Sequence, residues 1–218
     1  MDEAAFLERI SARLGRSIPE DRPPRNVQGA PDFWRQRSSG AQELILRFQA
    51  ELEKLGGQVE RFEDRSAMLA FLKSLLKDLD PTRIGVWGGN FMDEYQLEEV
   101  LSPYEVVTWG NQGVEAFQAA EVSISGCAFA IADTGTMVMM SSETHGRSVA
   151  VLPTVHIVIL RQEQIHGTMG EVLESLSQMG RSLPASVHFI SGASRSSDIE
   201  NDQTIGIHGP ARIVAFIL

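Results

Sequence analysis

Helix and strand patterns alternate along residues 40–120, and this alternation restricts the fold more than any other feature of the sequence. Leu44, Phe48 and Leu52 recur at the spacing of a helix, and a second helical pattern with Ser66 as its expected N-cap ends before Pro81. The apolar segment at 83–87 ends at two glycines, as a short buried strand does. Alternating helices and strands favour a mostly parallel sheet with helices on both faces. The sequence therefore predicts an α/β fold.

Residues 122–160 depart from this alternation, because their apolar runs leave little room for helices. The runs lie at 122–125, 128–132, 137–141, 149–152 and 155–160. They predict consecutive strands that form an antiparallel or mixed extension of the sheet. A helix over 168–179, a strand over 187–191 and a final strand over 212–218 complete the pattern.

The N-terminal segment is predicted to be an arm outside this α/β pattern. Phe6, Ile10 and Leu14 have helical spacing, which indicates an amphipathic helix over 2–14. Four prolines follow within residues 17–31 and predict an irregular linker. We therefore expect an arm and linker over residues 1–34 and an α/β domain over 35–218. The arm packs either on its own core or on another chain.

The charge of the chain excludes some classes of partner. It has 19 Lys and Arg side chains against 29 Asp and Glu, a net charge of −10. Such a surface repels phosphate backbones and anionic lipids, so we expect no nucleic-acid partner. The apolar runs fall far short of the roughly 18 residues that span a bilayer, so we expect no membrane insertion. The acidic start at Asp2 and Glu3 is unlike a signal peptide, which favours a cytoplasmic protein.

The sequence also argues against a bound cofactor. Cys127 is the single cysteine, so the chain cannot form an internal disulfide or supply the roughly four thiolates of an iron–sulfur cluster. The motifs G-x-G-x-x-G, G-x-x-x-x-G-K-[ST], H-E-x-x-H and C-x-x-C are absent. The spacing of His and carboxylate residues matches no known metal site. We expect no cofactor and no metal in this chain.

The first candidate site is the segment Asp133-Thr134-Gly135-Thr136, which lies between two apolar runs. A turn of this composition exposes hydroxyls and backbone N–H groups together, which suits a carboxylate or phosphate. Asp133 is then a candidate catalytic residue. The alternative is a tight turn in which Asp133 and Thr134 bond their own backbone.

The second candidate is Arg147, which lies in a hydroxyl-rich loop between strands. It is one of only six basic side chains after residue 80, and a guanidinium binds a carboxylate through two parallel hydrogen bonds. Arg147 either clamps an anion in this way or pairs with Glu143.

The third candidate is the Gly- and Ser-rich loop that follows the predicted strand at 187–191. This composition is typical of an anion-binding nest, but it also occurs in flexible surface loops. Because α/β sheets bind ligands beyond the carboxyl ends of parallel strands, the position favours binding. The candidate ligand-binding residues are Ser191, Gly192, Ser194, Ser197 and Asp198.

The fourth candidate is His208, between glycines in the turn before the last strand. A fixed imidazole in such a turn serves as a general acid or base. His156, by contrast, opens an apolar run and is interpreted as a core histidine with its hydrogen bonds satisfied. We predict that all four candidates meet at one edge of the sheet, because parallel strands gather their ends on one side.

These segments, in this order, resemble the LUD-domain family, and the resemblance covers residues 35–218. It rests on Ile131-Ala132-Asp133-Thr134-Gly135-Thr136, on Leu152-Pro153-Thr154-Val155-His156-Ile157, on Ser194 with Ser197-Asp198-Ile199-Glu200, and on Gly206-Ile207-His208-Gly209-Pro210. Ser196 departs from the pattern, which has Thr there more often. The resemblance implies the Rossmann-like mixed sheet of the sugar-phosphate isomerase and CoA-transferase superfamily, with an antiparallel excursion.

The resemblance also implies a role in the oxidation of L-lactate to pyruvate, beside partner proteins that contain iron–sulfur clusters. No redox motif occurs in this chain, so we expect a subunit of an L-lactate oxidation complex rather than a stand-alone oxidoreductase. Its ligand would be a small carboxylate or phosphate. Two alternatives stay open: an independent enzyme acting on a CoA ester or a phosphorylated small molecule, and a non-catalytic scaffold.

Overall fold

The computed structural model describes residues 2–15, 17, 40–110, 114–197 and 203–218. The chain divides into two compact units, Met1–Arg37 and Ser38–Leu218. In the first unit, helix α1 spans Glu3–Leu14, where the Asp2 side chain caps its first turn and Gly15 ends it in the left-handed conformation. Phe6, Ile10 and Leu14 are exposed on α1. Apart from Ser17, the predicted Pro-rich linker at 17–31 lies outside the described residues.

The second unit is built on a six-stranded sheet in which every neighbouring pair of strands is parallel. The strand order is β1-β12-β7-β4-β2-β3. The strands are β1 (Gln58–Arg61), β2 (Arg83–Val86), β3 (Glu105–Thr108), β4 (Val122–Gly126), β7 (Val155–Leu160) and β12 (Arg212–Ile217). The predicted α/β fold with a mostly parallel sheet is confirmed.

A second, four-stranded sheet forms the predicted mixed excursion, in the order β8-β5-β6-β9. Its strands are β5 (Phe129–Ile131), β6 (Thr136–Met140), β8 (Ile165–His166) and β9 (Val187–Ile190). Strand β6 pairs antiparallel with both β5 and β9, whereas β8 pairs parallel with β5. A short antiparallel ribbon joins β10 (Arg195–Ser197) to β11 (Gln203–Ile205).

The helices of the second unit surround these sheets. They are α2 (Ala41–Lys54), α3 (Arg65–Leu79), α4 (Phe91–Tyr95), α5 (Glu98–Leu101), α6 (Val114–Gln118) and α7 (Met169–Gln178). Short 3-10 helices lie at Ala132–Thr134, Arg147–Ala150, Gln162–Gln164 and Gly180–Ser182. Within the described residues, no helix is both long enough and apolar enough to cross a membrane.

Two local predictions are wrong. Asp64, not Ser66, is the N-cap of α3, because its carboxylate accepts a 2.8 Å hydrogen bond from the Ala67 N–H. Residues 149–152 do not form a strand, because their N–H groups bond locally: those of Val151 and Leu152 both donate to the Ser148 carbonyl. The segment after β6 is therefore a helical turn that leads back to the main sheet.

The main sheet is packed on both faces. On one face, the rings of Phe62, Phe71 and Phe216 contact each other, with centroids 5.1–5.6 Å apart. On the other face, Gly85 brings β2 close to α6, since a Cβ atom at Gly85 would lie 2.7 Å from the Phe117 ring. The core is therefore sealed on each side by side chains from the surrounding helices.

His156 is fully buried on β7, as the sequence predicts. Its Nε2 hydrogen-bonds the Ser125 hydroxyl at 2.8 Å. Its Nδ1 has no hydrogen-bond partner among the described residues, and neither has the neighbouring Ser123 hydroxyl. The prediction that both ring nitrogens are satisfied therefore holds for one of them. Burial lowers the pKa of His156 to about 3, because a charged imidazole would lose its hydration there.

Candidate functional site

Three of the predicted candidate segments meet on one side of the second unit, together with the Thr154 segment of the LUD-like pattern. The Thr136 hydroxyl hydrogen-bonds the Ser191 hydroxyl at 2.7 Å, which joins the Asp133 turn to the loop after β9. The Ser194 N–H donates to the Pro210 carbonyl at 2.9 Å, which joins that loop to the His208 turn. We name these segments (133–136, Thr154, 191–197 and 206–210) the motif cluster.

The motif cluster lies at the amino-terminal edge of the main sheet. The His208 turn leads directly into the first residue of β12, and the Ala211 N–H donates to the carbonyl of Thr154, just before β7. The predicted position of the Ser191 loop, beyond the carboxyl end of a parallel strand of the main sheet, is wrong. The reason is that β9, which leads into Ser191, pairs antiparallel with β6 in the second sheet.

Asp133 is held in an ion pair. Its Oδ1 accepts a 2.8 Å hydrogen bond from Arg47 Nη1 on α2, and Arg47 Nη2 also donates to Glu43 at 2.6 Å. The Asp133 carboxylate raises the pKa of Arg47. The backbone N–H of Asp133 donates to the Gly167 carbonyl at 3.0 Å. The Asp133 side chain therefore fastens the turn to α2.

Gly135 belongs to the packing of the turn rather than to an open nest. It has a left-handed φ of 56°, and a Cβ atom there would lie 2.3 Å from the Leu52 backbone nitrogen. Gly192, with φ of 84°, packs in the same way against the Leu55 carbonyl, 2.6 Å from its Cβ position. Both glycines let backbone segments approach the end of α2 closely.

A short chain of hydroxyls runs through the motif cluster. Thr134 Oγ1 lies 2.7 Å from Thr136 Oγ1, which in turn lies 2.7 Å from Ser191 Oγ. Thr136 is buried, whereas Thr134 and Ser191 at the two ends are exposed. The two outer hydroxyls are therefore available to a polar ligand, while Thr136 fixes their positions.

The remaining predicted residues flank these three hydroxyl groups. Ser194 is half-buried, and its carbonyl accepts from the Gly206 N–H at 2.9 Å. Ser197 pairs with Gln203 in the β10–β11 ribbon. His208 is exposed in its turn. Asp198 lies outside the described residues.

Two arginines at this edge were not among the predicted site residues. Arg195 is exposed on β10, and among the described residues no carboxylate pairs with it. Arg212, at the start of β12, is half-buried and donates to the Gln58 side chain at 2.6 Å. Both belong to the six basic side chains after residue 80, and this scarcity is the signal that would have identified them.

Arg147 does not join the motif cluster. It follows Gly146, whose Cβ position lies against the ring of Trp109, directly after the carboxyl end of β3. Arg147 lines a small cavity with Trp87, His145 and His188, and Trp87 directly follows β2. Because all strands of the main sheet are parallel, Arg147 and His208 lie at opposite edges of it. The alternative role for Arg147, a pairing with Glu143, is not found within the described part of the chain.

Comparison with known proteins decides the family. The sequence model of the LUD domain matches residues 45–218. The chain belongs to the LUD domain family. The motif cluster contains most of the segments on which the resemblance to this family rests, and in this chain they lie together at one edge of the sheet.

Relatives of this LUD domain chain align with it over nearly its full length. A protein from Halalkalibacterium halodurans named lactate utilization protein C is 28% identical over 218 residues, covering 95% of this chain and 93% of that protein. A protein of the same name from Bacillus subtilis is 34% identical over 238 residues, covering 100% and 95% respectively.

A solved structure supports the fold of the LUD domain. The crystal structure of a DUF162 family protein from Deinococcus radiodurans has a TM-score of 0.61 and 18% sequence identity, and covers 83% of this chain and 99% of that chain. The mixed α/β architecture expected from the family resemblance is confirmed.

Cys127 is a poor nucleophile and a poor metal ligand in this LUD domain. Its thiol is buried, and burial raises its pKa to about 12, which disfavours the reactive thiolate. Among the described residues, no three His, Cys, Asp or Glu side chains lie together as a set that could hold a metal ion.

Proposed function

We propose that this LUD domain chain takes part in lactate utilization as a subunit of an L-lactate-oxidising system. The observation that carries the proposal is its nearly full-length similarity to relatives named lactate utilization protein C. In this role the chain works beside iron–sulfur partner proteins and carries no cluster itself. Oxidation of L-lactate to pyruvate releases two electrons and two protons, and the electrons pass to the partners.

In this role, the motif cluster binds a small carboxylate such as lactate or pyruvate. It offers exposed hydroxyls on Thr134 and Ser191, an exposed guanidinium on Arg195 and an exposed imidazole on His208. A guanidinium binds a carboxylate by two parallel hydrogen bonds, and hydroxyls bind the neighbouring hydroxyl or carbonyl oxygen. An imidazole at this site accepts or donates the proton of the 2-hydroxyl group.

Arg195 replaces Arg147 as the arginine of this site, because Arg147 lies at the other edge of the sheet. We expect Arg195→Ala to weaken binding of L-lactate or pyruvate by about 10-fold, close to 1.4 kcal/mol. This is the lower end for a hydrogen bond to a charged group, because the guanidinium is exposed. Isothermal titration calorimetry at low ionic strength measures the affinity.

Arg147→Ala is the matched control, since it removes the same charge from another exposed arginine. It should leave the affinity for L-lactate and pyruvate within about twofold of the wild-type value. Equal losses in the two variants would indicate a general effect of net charge, and a loss confined to Arg147→Ala would contradict the assignment to the motif cluster.

Growth of the organism that carries this gene tests the system-level role. A strain lacking the gene should fail to grow on L-lactate as carbon source while growing normally on pyruvate. The wild-type gene should restore growth, and a gene with the Arg195→Ala and His208→Ala changes should restore it poorly despite normal protein levels. Unimpaired growth of the deletion strain on L-lactate, with no second copy of the gene present, would refute the role.

A further inference from the structure

Strand β9 forms an open edge of the second sheet. It stands at one end of the order β8-β5-β6-β9, and within the described part of the chain it pairs with β6 alone. An edge strand presents a row of N–H and C=O groups on its free side, and such a row is a template for pairing with another strand. The backbone of β9 is therefore a candidate interaction surface.

The register of β9 on β6 shows which of its backbone groups are on the free side. The Ser141 N–H donates to the Ser186 carbonyl at 3.0 Å, so these two residues form a hydrogen-bonded pair at the end of the ladder. Because hydrogen-bonded pairs alternate with non-bonded pairs, His188 bonds β6 again, and the N–H and C=O groups of Val187 and Phe189 point away from it. Among the described residues, these four outward groups have no hydrogen-bond partner.

The composition of β9 is that of a covered strand rather than of a protected edge. Residues 182–194 contain no Asp, Glu, Lys or Arg, although the chain has 29 acidic and 19 basic side chains. The same holds for residues 148–160, which include β7, a strand that is paired on both sides. Edge strands that stay unpaired are commonly protected by charge, as β1 is by Glu60 and Arg61 and β3 is by Glu105. The uncharged edge of β9 therefore favours a paired state.

The side chains of this edge also expose apolar surface. The Phe189 side chain is 39% exposed, although its neighbour across the ladder, Val138, is fully buried in a small core beneath α7. Leu183, which precedes β9, is 45% exposed. Val187 is half-buried and lies on the same face of the strand as Phe189, because residues two apart in a strand face the same way. The edge therefore offers apolar side chains together with its outward backbone groups.

We propose that β9 is the interface of a symmetric dimer, in which it pairs antiparallel with β9 of a second copy of this chain. A twofold axis at His188 brings Val187 opposite Phe189 of the partner subunit, and Phe189 opposite the partner's Val187. Each of these two pairs exchanges two N–H···O=C hydrogen bonds, so all four outward groups of each copy are used. The two four-stranded sheets then form one continuous sheet.

The edge is complementary to itself in this register, which favours a second copy over an unrelated strand. One twofold axis satisfies both chains at once, and it sets each Phe189 ring across from a β-branched side chain, a favourable cross-strand pair. The pairing segments carry no charge and do not repel each other, although each chain has a net charge of −10. The dimer does not depend on the role in lactate utilization. Because β9 leads directly into Ser191, a motif cluster would lie near each end of the paired strands.

Sedimentation velocity of the full chain over a range of concentrations tests the dimer, and two double variants test its register. The wild type should have twice the mass of one chain. Combining Val187→Lys with Phe189→Lys sets lysine opposite lysine in both pairs, whereas combining Val187→Lys with Phe189→Glu sets lysine opposite glutamate. The first variant should dissociate at a concentration at least about 10-fold higher than the second, because like charges directly opposite destabilise paired strands. Circular dichroism checks that both variants are folded.

His188→Cys provides a second test that introduces no charge. On the twofold axis the two Cα atoms at position 188 would lie about 4.5 Å apart, within the range of a disulfide, so mild oxidation should link the two chains. The native Cys127 is buried and should not compete. Ile205→Cys, at an exposed side chain on β11, is the control and should not cross-link.

Three results would overturn the proposal. The first is a wild-type chain that stays monomeric at every concentration, which would leave the edge to a strand of another protein. The second is the same dissociation constant for the two double variants, which would place the contact elsewhere on the chain. The third is cross-linking of Ile205→Cys as readily as His188→Cys.

Discussion

Acidification below pH 6.5 should destabilise the protein through His156. In the unfolded chain a histidine binds its proton with a pKa near 6.5, whereas the folded chain holds His156 neutral down to a pKa of about 3. Between these values the unfolded state binds more protons, so stability is full above pH 6.5 and falls as the pH is lowered. At about 1.4 kcal/mol per pH unit, the loss between pH 6.5 and 4 is on the order of 3 kcal/mol.

His156→Gln isolates this contribution, because glutamine is neutral at every pH and keeps a hydrogen-bonding group toward Ser125. Urea unfolding at several pH values should give a free energy of unfolding that falls less steeply for His156→Gln than for the wild type. If His156→Gln and the wild type have the same slope, His156 is not the group responsible.

Gly135→Ala should cause the largest loss of stability among single exchanges in the motif cluster. Alanine at this left-handed φ of 56° is strained, and its Cβ would lie 2.3 Å from the Leu52 nitrogen, so the turn must separate from α2. We expect the free energy of unfolding to fall by about 3 kcal/mol or more, as for other backbone collisions in a packed region. Urea denaturation measures the change.

Gly180→Ala distinguishes the effect of the left-handed backbone conformation from the effect of the collision between the Cβ atom and α2. Gly180 has a similar φ of 52°, but a Cβ atom there would meet nothing within 4 Å. This variant should lose only about 1 kcal/mol, the usual effect of a left-handed alanine. Comparable losses at Gly180 and Gly135 would show that close packing on α2 does not set the requirement for glycine at position 135.

The fold was largely predictable because the spacing of apolar residues indicates most of its helices and strands. The alternation of helices and strands, the strand-rich middle and the buried His156 are all visible in local patterns of a few residues. The prediction of a strand at 149–152 was wrong for the same reason, since an apolar run of four residues is equally compatible with a strand and a buried turn. Only the local hydrogen bonds to Ser148 distinguish the two.

The sequence predicted which segments form the candidate site, but not where in the fold the site lies. The sequence singled out the Asp133 turn, the Ser191 loop and the His208 turn by their composition, and the structure brings these three together. The sequence could not reveal that β9 pairs antiparallel with β6 in a separate sheet. For this reason the motif cluster lies at the amino-terminal edge of the main sheet, away from Arg147. Nor could the sequence reveal that Arg47, on α2, is the partner of Asp133, because 86 residues separate them in the chain.

Reconstitution of L-lactate oxidation from purified components tests the proposed role most directly. Pyruvate formation is measured with L-lactate, an artificial electron acceptor and the iron–sulfur partner proteins, with and without this chain. The account predicts that pyruvate forms only when the chain and its partners are combined, and that the chain alone is inactive. Full activity of the partners without this chain, or lactate oxidation by the chain alone, would contradict it.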